Sequence, residues 1–108
     1  MILSWGATMF SYYAIYNKRD REQPAGIFVM DVHAGHGMLW DHKLKAWSYN
    51  PALVVRFLDD DRNDDRWDSV DRSAAERITP QITQGEQLPD EDTIAWIFRW
   101  EGRPPQGD

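Results

Sequence analysis

The stretch Gly26-Ile27-Phe28-Val29-Met30-Asp31-Val32-His33-Ala34-Gly35-His36-Gly37-Met38-Leu39-Trp40 decides the architecture. Branched and aromatic residues from Gly26 to His33 favour a strand. Period-two geometry then puts Ile27, Val29, Asp31 and His33 on one face, with Phe28, Met30 and Val32 opposite. Ala34-Gly35-His36-Gly37 supplies the positive φ angles of a tight turn, so Met38 to Trp40 returns as the next strand. Ala46 to Tyr49 pairs with it around Asp41-His42-Lys43-Leu44-Lys45, and Trp40 faces Trp47 across the hairpin. Upstream, Phe10 to Asn17 is a strand with apolar residues on both faces, which places it centrally or under cover on each side. Lys18 to Pro24 is a charged connection. The economical arrangement is an antiparallel meander.

Downstream the period lengthens. Asn50-Pro51 combines a capping amide with a proline at the first helical position. Leu53, Val54, Phe57 and Leu58 then recur at helical spacing. Arg66 to Val70 suits a short edge strand. Ser73-Ala74-Ala75-Glu76 matches a capping box, whose helix is expected to end before Pro80. For Leu88 to Trp100 the acidic start Asp90-Glu91-Asp92 favours a helix with Ile94, Ile97 and Phe98 buried. Alternation of Ile94, Trp96, Phe98 and Trp100 keeps a strand open as the alternative. The expected class is α+β: three or four mostly antiparallel strands, with two or three short helices segregated onto one face.

The chain has 108 residues, 42% of them hydrophobic, which suits one compact domain over residues 1–101 and a fraying tail over 102–108. Cysteine is absent, excluding disulfides and thiolate chemistry. No apolar run reaches the roughly 20 residues of a membrane span. The opening Met1 to Thr8 is too short for a signal-peptide core, and translation starting at Met9 is an alternative. A cytoplasmic protein is expected. The net charge of −6 disfavours general binding to nucleic acid or anionic lipid. That charge is unevenly divided. Residues 1–58 hold four acids and six bases (+2), and residues 59–108 hold fourteen and six (−8).

Four groupings carry potential chemistry. Asp31, His33, His36 and His42 offer imidazole and carboxylate ligands, so a zinc-dependent hydrolase is one reading. Their spacing matches no specific signature, and histidines exposed in hairpin turns are the plainer explanation. Asp59, Asp61 and Asn63 begin like a calcium loop, but Asp64 stands where glycine is required and Val70 where glutamate is. A solvated connection accounts for that run, or an interaction rim in which Asp59, Asp60, Asp61, Asp64 and Asp65 surround Trp67 as anchor. Trp96 and Trp100 would form a partly exposed ridge on a helical last segment, suited to self-association. Lys18, Arg19 and Arg21 beside Tyr12, Tyr13 and Tyr16 imitate a single-strand nucleic-acid platform with a thin positive footprint. No phosphate loop, nucleophile context or known family signature is present. The preferred reading is a non-catalytic module of regulatory, antitoxin or immunity type, binding a protein with a basic surface.

Overall fold

The computed structural model of the chain describes residues 10–18 and 20–102. Strands β1 (Ser11–Asn17), β2 (Asp20–Asp31), β3 (His36–Asp41) and β4 (Ala46–Tyr49) form the meander. There follow α1 (Pro51–Asp59), a 3-10 turn at Asp61–Asn63, β5 (Trp67–Val70), α2 (Arg72–Thr83) and α3 (Glu91–Glu101). The fold is α+β, and its sheet has five strands in the order β4-β3-β2-β1-β5, every neighbouring pair antiparallel. The fifth strand is Trp67–Val70, which pairs with β1 along its whole length.

The registers place Tyr12, Val29, Met38 and Tyr49 in one row across the sheet, and Tyr13, Phe28 and Leu39 in rows of the opposite face. Tyr12, Ile27, Val29, Met38 and Trp40 pack with Ala75 and Ile82 of α2 and Ile94 and Phe98 of α3. Ile15, Phe28 and Leu39 pack instead with Leu53, Val54, Phe57 and Leu58 of α1. Helices therefore cover both faces, correcting the one-face expectation. A sheet apolar on both sides needs two covers. Trp40 and Trp47 meet edge to face with ring centroids 5.4 Å apart, as the hairpin reading requires. Gly37 lets α1 approach β3: a Cβ there would lie 3.2 Å from Pro51 Cα and 3.3 Å from Val54 Cβ.

Three local expectations are corrected. Lys18 to Pro24 is not a simple connection, because β2 starts at Asp20 and carries Pro24 opposite Tyr16. The pairing slips on either side of Tyr16, and such bulges tolerate a proline that cannot donate. The cap of α2 is Asp71, whose carboxylate accepts from the Ala74 amide at 2.8 Å, and not Ser73. That helix continues through Pro80 to Thr83. Thr79 and Thr83 donate side-chain hydrogen bonds to the Ala75 and Thr79 carbonyls, and Thr79, Ile82 and Thr83 are buried. Tertiary burial thus outweighs the lost backbone bond, normally a penalty of about 3 kcal/mol. The last segment is helix. Asp90 caps it, and Ile94 and Phe98 are buried.

Candidate functional site

The chain leaves the sheet at edge strand β4 and re-enters at the opposite edge, β5. Four strand spacings make that crossing about 19 Å. The nine residues of α1 rise only about 13 Å, so the connection from Asp60 to Arg66, wound through its 3-10 turn, completes the traverse. The acidic run lies in this connection. The short helix accounts for a groove, since it does not cover the whole face. Tyr13, Met30, Val32, Val55, Leu58, Asp59 and Trp67 line it. Val32 is 59% exposed and Val55 37%. Trp67 packs edge-on against Tyr13 at 5.5 Å, and its indole Nε1 is buried with no hydrogen-bond partner among the described residues.

The loop aspartates divide into two groups. Asp59, Asp61, Asp64 and Asp65 are exposed. Asp60 turns back on its own loop, accepting from the Arg62 amide at 3.0 Å and from the Arg62 guanidinium at 3.1 and 2.8 Å. Those bonds hold its carboxyl down at about 2. Asp60 therefore does not join the free rim. Arg66 is also engaged: it donates to the Tyr16 carbonyl at 3.2 Å and lies 5.2 Å from the Phe57 ring centre. Asn63 donates to the Phe57 carbonyl at 3.1 Å, so it serves the loop rather than a calcium ion. Trp67 is half-buried in the α1-side core as well as lining the groove.

The sheet also divides the acidic half of the sequence. The loop carboxylates follow α1, whereas Asp71 and Asp90 cap α2 and α3, which pack on the other face. The back-half charge is thus two local fields rather than one.

The zinc reading is not supported by the geometry. His36 opens β3 and His42 follows its end, so the length of that strand, about 17 Å, separates them. His36 Nδ1 lies 2.8 Å from the Tyr49 hydroxyl, and its ring stacks on Phe98 at 5.1 Å. His42 Nε2 lies 2.7 Å from the Ala25 carbonyl. Asp31 accepts from the Ala34 amide within its own turn, and His33 is exposed. Among the described residues no three His, Cys, Asp or Glu side chains gather as a metal set. Burial, with a contribution from Glu101, pushes the Tyr49 phenol above its ordinary value, which keeps its proton beside His36.

The remaining candidates lie elsewhere. Trp96 and Trp100 form a ridge on α3, 56% and 52% exposed, with ring centroids 5.7 Å apart. In the nucleic-acid reading, Arg21 is bound to Asp68 at 3.2 Å and stacked 4.6 Å over Tyr16. Tyr12 and Tyr13 face opposite sides of the sheet. Arg19 lies outside the described residues, as do Met1 to Thr8 and the tail from Arg103. Gly102, assigned to the tail by sequence, caps α3. No helix among the described residues is long and apolar enough to cross a membrane.

The α1 groove escaped the sequence reading. Its signals were Val32, in the turn just past the end of β2, and Val55, beside the α1 stripe rather than within it. Comparison with protein-family models, curated proteins and solved structures finds no match to this chain.

Proposed function

We propose that the protein is a cytoplasmic, non-catalytic interaction module of the regulatory, antitoxin or immunity kind. Its groove between α1 and the sheet receives a basic, amphipathic segment of a partner protein. The observation that carries this reading is the continuity of an apolar trough with acid: Val32, Val55, Leu58 and Trp67 run directly into Asp59. Exposed Asp61, Asp64 and Asp65 follow in the next turn of chain. Apolar side chains of the partner fill the trough, and its lysines or arginines meet the carboxylates. Aromatic anchors in partly desolvated grooves supply most of the energy of such contacts, while rim charges set encounter rate and register. The Trp67 ring, which lines the trough and packs edge-on against Tyr13, is the aromatic anchor of that contact.

Selection from a random peptide display library against the full chain tests this, with the Val55→Lys variant as counter-target. Sequences mixing leucine or isoleucine with lysine or arginine are expected to be enriched on the wild type alone. Their binding should weaken steeply between low and moderate salt, because exposed charges are screened. Enrichment that Val55→Lys does not abolish, or peptides without basic residues, would sink the proposal.

A further inference from the structure

We infer that α3 pairs antiparallel with the α3 of a second copy of this chain, through a surface distinct from the α1 groove. Asp92, Trp96, Arg99 and Trp100 follow one another at spacings of four, three and one residues, so they share one face of the helix. All four are exposed, opposite the buried pair Ile94 and Phe98. Half-exposed tryptophans in helical neighbourhood are unusual on a monomer's surface and typical of a contact centre.

The charges along this face identify the second occupant. On this face the first turn of α3 carries Asp92 and the last turn Arg99; Glu91 is turned to the Tyr12 phenol, and Glu101 lies round the helix from the stripe. A two-fold axis at Trp96 brings Asp92 of each copy alongside Arg99 of the other. It also opposes the two helix dipoles, and lays Trp96 on its own symmetry mate. The stripe is therefore complementary to itself only in the antiparallel sense; parallel pairing sets acid against acid. An isologous contact of this kind closes after two copies.

The area sets the strength. A tryptophan buries on the order of 200 Å² when fully covered, so four half-exposed indoles supply roughly 400 Å². A specific interface needs about 1,000 Å², and the flanking Asp92, Thr93 and Arg99 must furnish part of the remainder. The dimer is accordingly weak and appears only as concentration rises.

Sedimentation equilibrium of the full chain across a concentration series is the test. A reversible monomer–dimer equilibrium is expected, weakened about tenfold or more by Trp96→Ser. Trp96 is exposed, so this variant keeps its fold, which circular dichroism checks. Asp92→Arg and Arg99→Asp should each weaken the dimer, and the two together should restore part of the loss. Val55→Lys should leave it unchanged, which separates this proposal from the fate of the groove. A single monomeric species at every concentration overturns the inference. So does association that Trp96→Ser leaves undiminished, or a double charge swap no better than either single one.

Discussion

The phenol of Tyr12 in β1 donates a 3.1 Å hydrogen bond to Glu91, 79 residues further along the chain. The same oxygen accepts one of 3.0 Å from Arg72. Arg72 in turn holds Glu76 at 2.9 Å. One hydroxyl thus ties the sheet to the first turns of both α2 and α3. Tyr12 is 1% exposed, and burial is the main reason its phenol is pushed up to about 12.

An alkaline limit on stability follows. Above pH 10 the unfolded chain releases the Tyr12 proton while the folded chain retains it. The contribution is complete below pH 10 and is lost as pH rises through about 12. The slope from this one group is at most about 1.4 kcal/mol per pH unit. Tyr12→Phe should lower stability at pH 7 by about 1–2 kcal/mol, since it strands half-buried Glu91. It should also flatten the decline between pH 10 and 12. Urea melts of both proteins at pH 7, 10 and 11 measure the two effects.

The turns β2–β3 and β3–β4 share a plan. Asp31 and Asp41 each begin a turn, and their carbonyls accept from the amides of Gly35 at 2.9 Å and Lys45 at 2.8 Å. Gly35 and Lys45 occupy the matching left-handed position, with φ of 75° and 54°. Glycine adopts this conformation without strain, and lysine does not. Lys45→Gly should therefore raise stability by about 0.5 kcal/mol, whereas Gly35→Ala should lower it by about 1 kcal/mol. Thermal melts of the two variants decide this by the sign of the shift.

Gly102 closes α3 against His36. A Cβ at that position would overlap the imidazole, and Phe98 behind it and Tyr49 beside it prevent the ring from yielding freely. Gly102→Ala should lower stability by about 1–3 kcal/mol, the usual range for overpacking. It should also move the proton resonances of His36, as the ring slides off Phe98. Unchanged His36 shifts would show that the helix end moves instead.

Trp67→Phe separates folding from binding. It removes the unpartnered indole N–H while keeping an aromatic ring beside Tyr13. The lost area and the relieved donor nearly offset each other, so stability should change by less than about 1 kcal/mol. Affinity for peptides selected on the groove should fall about tenfold, measured by fluorescence anisotropy of labelled peptide.

Local chemistry determined much of this fold, and the sequence shows it directly. The alternation in Ile27–Met30, the cap at Asn50-Pro51 and the acidic start of α3 act within a turn or a strand pair, so neighbouring residues suffice to reveal them. Where distant parts decide, the reading runs out. Whether α2 stops at Pro80 depends on what Ile82 and Thr83 bury against, and whether Asp60 is free depends on how its loop folds back. Of the candidate ligands Asp31, His33, His36 and His42, extended β3 carries His42 away. Asp31 and His36 stay register partners across β2–β3, but Asp31 serves its own turn and His36 packs on Tyr49 and Phe98. The groove is the clearest case. It exists because nine helical residues are shorter than a five-stranded sheet is wide, a mismatch of lengths that appears only once the strand order is set. Strand order in turn is an outcome of non-local pairing, in which β5 passes over β4 to join β1, and no stretch of neighbouring residues encodes that choice.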